Sequence, residues 1–239
     1  VIDTVQESVN QSGVSYLVIA LFDPSGRYVL PFAVSKPTAY DNYTHTLRYP
    51  YTGAPATDFT PDFVFGGAAF LGGSGDAGHS SVYRGPGHAG DQTGLLATWS
   101  ASDADRIQAL GPGTVEFGTK IGQQSGDHAF WGGRVDDGVS TTKLMAVASY
   151  VGDGTGPRNI ALALGGSSPV FALVVPTNAT AKVYRVIGDT TGRDTVVASA
   201  VNNSITAMGA NQITVGAALN ATGVTYDVWA ITTGFVAPW

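Results

Sequence analysis

Along most of the chain the apolar positions come in short runs of β-branched and aromatic residues, cut at close intervals by Gly, Asn, Asp and Pro. That punctuation belongs to strands and turns rather than to helices. It predicts strands at Phe63–Phe65, Thr114–Gly118, Lys143–Val151, Val170–Val175, Lys182–Val186, Gln212–Gly216 and Val224–Ile231. Near the start, Ser15–Phe22 and Arg27–Val34 flank Asp23-Pro-Ser-Gly26, with Pro preset at the second turn position and Gly at the fourth. This predicts a hairpin, and an interior one, because both faces of Tyr16–Leu21 are apolar. A single short helix is predicted at Asp103–Leu110, with Ser102 as N-cap and Asp105 completing an approximate capping box.

Internal repeats set the organisation. Ile205-Thr-Ala-Met-Gly209, Gln212-Ile-Thr-Val-Gly216 and Trp229 are matched at one constant offset by Ile107-Gln-Ala-Leu-Gly111, Thr114-Val-Glu-Phe-Gly118 and Trp131. Upstream, Val82-Tyr-Arg84 answers Val183-Tyr-Arg185, Thr60-Pro61 answers Ser168-Pro169, and Tyr51-Thr-Gly53 answers Tyr150-Val-Gly152. A third, partial copy opens the chain, where Asn10-Gln-Ser-Gly-Val-Ser-Tyr16 matches Asn220-Ala-Thr-Gly-Val-Thr-Tyr226. In Asn-x-[Ser/Thr]-Gly, Asn is expected to close onto its own backbone and Gly to supply positive φ. Gly118 and Gly216, each ending a β run, suit a bulge or a close backbone approach. The resulting expectation is an all-β chain of two tandem sandwich-like repeat domains, preceded by the last strands of a third, truncated repeat. The end of that repeat plus its hairpin occupies 1–35, the middle domain 36–140 and the C-terminal domain 141–239. Since residues 1–20 match only the end of a repeat, a longer parent chain is expected.

Composition narrows the function classes. The chain has 239 residues, 44% hydrophobic and 10% aromatic, enough to offset ordering entropy and argue against disorder. Charged residues are only 13%, and the net charge of −6 makes a phosphate-tracking groove, and hence a nucleic-acid partner, unexpected. No apolar run reaches the roughly 18 residues of a membrane span. The absence of Cys removes disulfides and thiolate metal sites.

The repeated motifs carry a resemblance. A Tyr-x-Gly start, [Thr/Ser]-Pro-x-Phe, Val-Tyr-Arg and a closing Ile…Gly…Val-Gly…Asn-x-[Ser/Thr]-Gly…Trp-Ala resemble the Gly-rich tandem β-repeats of tailed-phage and prophage virion proteins, tail fibre-like or minor tail proteins. The resemblance spans most of residues 45–239 and the first 20. It implies a structural virion protein, tail-associated or on the particle surface, in contact with other virion subunits and with a host receptor such as a surface glycan. It also implies a homo-oligomer, with a trimer favoured. The alternative is a carbohydrate-binding module of a bacterial adhesin or secreted multidomain protein, placed extracellularly or on the cell surface.

No catalytic signature accompanies these motifs. There is no Gly-x-Ser-x-Gly and no Cys nucleophile, so no enzyme activity, catalytic residue or cofactor is expected. Only Glu7 and Glu116 are Glu, and Glu116 falls on a strand, which leaves no obvious carboxylate pair for glycoside cleavage. His79 and His88, with Asp76 and Asp91, lack a standard ligand spacing and read as solvated loop residues. Asp136-Asp137 and Asp153-Gly154 read as turns rather than Ca²⁺ loops, so no metal site is expected. Gly72-Gly-Ser-Gly-Asp-Ala-Gly78 lacks the Gly-Lys-[Ser/Thr] of a phosphate cradle, and the Asn-x-[Ser/Thr] sequons at Asn10, Asn42, Asn178, Asn202 and Asn220 read as turns.

Function unique to one copy should lie where the copies differ. The middle copy has longer loops between Pro61 and Val82 and around Trp99, an aromatic with no counterpart. Tyr83, Arg84, His88 and Trp99 are therefore expected near one exposed end of the middle domain as binding residues, or else in a subunit interface. Trp131 and Trp229 recur in register and are expected to pack.

Overall fold

A computed structural model describes residues 23, 27–35, 42–68, 82–96, 100–121, 127–136, 143–195 and 199–232. The chain is all-β. Its first half contributes β1 (Val29–Ser35), β2 (Tyr43–Thr46), β3 (Phe63–Ala68), β4 (Val82–Arg84), β5 (Gly94–Leu95), β6 (Ile107–Gly111), β7 (Thr114–Phe117) and β8 (Asp127–Gly133). The second half contributes β9 (Met145–Val151), β10 (Arg158–Ala161), β11 (Pro169–Pro176), β12 (Val183–Val186), β13 (Gly192–Asp194), β14 (Ala200–Val201), β15 (Ile205–Gly209), β16 (Gln212–Val215) and β17 (Thr225–Thr232). Among the described residues one 3-10 turn, Ala217–Leu219, interrupts this pattern, and no helix is long and apolar enough to cross a membrane.

The strands form four antiparallel sheets with one wiring used twice. The orders β1-β8-β3-β4-β5 and β2-β7-β6 in the first half are matched by β9-β17-β11-β12-β13-β14 and β10-β16-β15 in the second. Trp131 on β8 and Trp229 on β17 therefore occupy equivalent strands, as do Tyr83 on β4 and Tyr184 on β12. In each half the large sheet packs on the small one. Leu30, Val64, Val82 and Phe130 meet Ile107, Val115 and Phe117 in the first core. Ala172, Val174, Val183 and Val228 meet Ile160, Ile205, Ile213 and Val215 in the second. A third cluster joins the outer faces of the two large sheets, with Tyr28, Phe63 and Tyr83 on one side and Met145, Phe171, Leu173, Val175 and Trp229 on the other. The result is a stack of small, large, large and small sheets.

The repeat extends to backbone detail. Asp105 and Asn203 hold φ of 61° and 53°, and the register of β6 against β7 slips between Ile107 and Ala109 as that of β15 against β16 does between Ile205 and Ala207. Gly118 N–H donates to Arg106 O, and Gly216 N–H donates to Ser204 O. A Cβ on Gly118 would stand 2.5 Å from the Asp105 carbonyl, and one on Gly216 would stand 2.4 Å from the Asn203 oxygen. The close approach expected of both glycines is thus what they provide.

Several expectations change. Residues 103–110 are not a helix: Asp103 bridges Thr93 in antiparallel fashion, Asp105 has positive φ, and Ile107–Gly111 is β6. The Ser102 and Asp105 pattern imitates a capping box, but burial of Ile107 against β7 overrides the local signal. Tyr51 and Tyr150 are not equivalent, since Tyr51 lies in a turn, 74% exposed, while Tyr150 is buried in β9. The counterpart of β9 is β1, which pairs with β8 along its whole length and so joins the first large sheet, although the repeat pattern had grouped it with residues 1–35. The other arm of the expected hairpin, Ser15–Phe22, lies outside the described residues, as do residues 1–14, where the end of a third copy is expected. Asn220 does not close onto its own backbone: its amide bridges to Asp153 N, Asp153 Oδ1 and Thr155 O in a neighbouring turn, while Gly223 takes the expected positive φ.

Candidate functional site

The most unusual chemistry lies in the seam between the two large sheets. Alternation along β17 sends Tyr226, Val228 and Ala230 into the second core, and Asp227, Trp229 and Ile231 to the opposite face. Asp227 thus meets the loop that follows β4. His88 Nδ1 lies 2.6 Å from Asp227 Oδ2, and Gly87 N–H donates to Asp227 Oδ1 at 2.5 Å. Both side chains of the His88–Asp227 pair are fully buried. The loop approaches so closely that a Cβ on Gly87 would lie 2.3 Å from Asp227 Oδ1 and 2.6 Å from Ser149 Oγ.

Aromatic rings cluster beside the pair. Tyr83 is packed edge-on to His88 with centroids 5.8 Å apart, and Trp229 sits 4.5 Å from Phe65, 5.4 Å from Phe63 and 5.5 Å from Phe171. Burial raises the Tyr83 phenol well above its ordinary range, and the nearby Asp227 carboxylate adds to this. Tyr83 is therefore neutral across physiological pH. Its hydroxyl, His88 Nε2 and Trp229 Nε1 have no hydrogen-bond partner among the described residues. His88 Nε2 is aimed at Gly94 and Val175, where a Cβ on Gly94 would lie 3.0 Å away, and no described hydroxyl stands within reach of it. The dyad orients an imidazole as a hydrolase would, but its second nitrogen faces an apolar wall.

Further bonds lock the same seam. Lys182, itself buried, donates from Nζ to Ser100 O; Ser102 N–H donates to Thr177 O at 3.0 Å; Thr195 Oγ1 donates to Leu96 O at 2.7 Å. Burial lowers the Lys182 ammonium to about 8, with Asp194 acting in the opposite direction.

Of the four residues expected at an exposed loop end, three are buried. Tyr83 and His88 face the seam, and Arg84 is 8% exposed. The Arg84 guanidinium donates to Gln92 O at 2.6 Å, Gly90 O at 2.5 Å and Ile107 O at 2.9 Å, pinning its loop to β6. Arg185 repeats this in the second half, donating to Asp189 O from two nitrogens and to Ile205 O at 3.0 Å. Val-Tyr-Arg is thereby explained as a loop clamp, a need that both copies share. Trp99, His79, Asp76 and Asp137 lie outside the described residues. Asp153 Oδ1 accepts from Thr155 N, Thr155 Oγ1 and Asn220 Nδ2, which makes its segment a closed turn. Asp136 pairs with Lys143.

Asp227 and Lys182 belong to the seam without a sequence motif that marks them. The available signal was a carboxylate set within the otherwise apolar run Tyr226–Ile231, at the register position where the first half carries Ala129. Compared with family models, curated proteins and solved structures, the chain matches none.

Proposed function

We propose that the chain is an architectural protein of a phage or phage-like particle, tail-associated or on the particle surface, where it can meet the host. The observation that carries this reading is the use made of the seam. Tyr83, His88 and Asp227, side chains that would serve chemistry or recognition if they were open to solvent, are buried between the two large sheets, and Lys182 is buried where it meets Ser100. Residues used this way fasten two sandwiches into one stack, which suits a building block that bears load. Arg84 and Arg185, clamping equivalent loops, add to that reading. The virion context itself comes from the resemblance of the repeated Val-Tyr-Arg, Gly and Trp-Ala motifs.

The test is physical co-purification. Particles banded on a density gradient should contain the chain by mass spectrometry, and an antibody against it should decorate one part of the particle in immunogold micrographs. A chain absent from intact particles sinks the reading. If it were instead retained by an immobilised glycan, a carbohydrate-binding module of a surface or secreted protein would take its place.

A further inference from the structure

The seam is not reciprocal. Trp229 is 2% exposed because Phe63 and Phe65 of the first half cover it. Trp131, at the equivalent place on the equivalent strand, is 37% exposed, whereas Phe171, the counterpart of Phe63, has its ring against Tyr184 and Trp229. Pro31, Ala33 and Ala129, which neighbour Trp131 on the same face of β1 and β8, are exposed too. Their counterparts by strand pairing are Val147, Ser149 and Asp227 on β9 and β17, the patch onto which the first half's Pro86-Gly-His88 loop and its aromatic residues close. The donor side is equally lopsided. Ile187-Gly-Asp189 stands two residues beyond Arg185 as Pro86-Gly-His88 stands two beyond Arg84, yet Ile187 is 67% exposed.

An interface in which patch X of one unit meets patch Y of the next is heterologous, and it leaves one Y and one X free at the ends. We propose that copies of this chain associate head to tail, the Ile187–Asp189 loop and Tyr184 of one copy closing over Trp131, Ala129 and Ala33 of the next. The contact continues the geometry already present inside the chain. Its chemistry is compatible at the one point where the internal seam carries charge. Where Asp227 meets His88 internally, the free faces offer Ala129 and an Asp189 already paired with Arg193 at 3.1 Å, so no carboxylate would be buried against another. Ile187 supplies the apolar cover for Trp131. Closure of such a contact after a few copies gives a ring, and failure to close gives a filament. The inference deepens the architectural reading and rests on it, but it is measured on the purified chain, so its failure is separable from the chain's absence from particles.

The experiment is light scattering and sedimentation of the full chain, of Trp131→Glu and of Ile187→Lys, with thermal unfolding recorded for each. The wild type should form oligomers, and each variant should weaken association at least tenfold while unfolding at the wild-type temperature. Mixing the two variants should restore a two-chain species, because Trp131→Glu keeps an intact donor loop and Ile187→Lys keeps an intact receiving face. A wild type that stays monomeric at every concentration overturns the proposal, and so do oligomers indifferent to both substitutions.

Discussion

His88 and Asp227 meet at 2.6 Å across 139 positions of sequence, each fully buried, with one residue supplied by each half of the stack. A buried, hydrogen-bonded pair is costly to disrupt from one side, because the partner left behind stays buried. Among the described residues, Gly87 N–H alone would remain as a hydrogen-bond donor to the Asp227 carboxylate if the imidazole were removed.

His88→Ala and Asp227→Ala should each therefore destabilise the chain by about 3 to 5 kcal/mol in chemical denaturation, whereas the double variant should lose much less than the sum. Strict additivity would show that the two residues are not coupled. Partial uncoupling of the halves should also appear as a broadened or split transition in His88→Ala.

Arg84 and Arg185 perform equivalent work, so Arg84→Lys and Arg185→Lys should fail alike. An ammonium cannot reproduce the planar fork with which Arg84 reaches three carbonyls and Arg185 reaches two. Each change should cost on the order of 2 kcal/mol, read from denaturation midpoints. A harmless Arg84→Lys beside a damaging Arg185→Lys would contradict their structural equivalence.

Glycine at 118 and 216 is required by contact rather than by φ. A Cβ at either position would collide with the backbone of Asp105 or Asn203. Gly118→Ala and Gly216→Ala should thus lower stability by about 1 to 3 kcal/mol. Gly156→Ala, where a Cβ meets nothing within 4 Å, serves as the tolerated control. Asp105→Gly and Asn203→Gly should be tolerated, because positive φ at both positions suits glycine.

Lys182 yields a pH signature. Its buried ammonium is lowered from 10.5 to about 8, so between those values the unfolded chain holds a proton that the folded chain has released. Stability rises with pH wherever the unfolded state binds more protons. The wild type should gain stability relative to Lys182→Met as pH increases from about 8 towards 10.5. Tyr83, Tyr150 and Tyr226, all raised first by burial, act with the opposite sign once unfolded tyrosines begin to ionise, and they do so equally in both proteins. Parallel pH profiles for the two proteins would place Lys182 in a wetter setting than its burial indicates.

The amino-acid sequence by itself determined the all-β class, the places of β1, β3, β7, β9, β11, β12, β16 and β17, and the equivalence of Trp131 with Trp229 and of Val82–Arg84 with Val183–Arg185. These follow from alternation, turn chemistry and repetition, which act over a few residues and leave their mark locally. Even the apparent helix at 103–110 was a local signal, and it lost to burial of Ile107 against β7. Only the tertiary structure decided that Tyr83, Arg84 and His88 are interior, that Asp227 is the partner of His88, and that Trp229 is covered where Trp131 is open. Those outcomes depend on how one outer sheet face docks on another. Docking brings together residues more than a hundred positions apart, and it treats two copies of one motif differently, because one copy faces its neighbour and the other faces solvent.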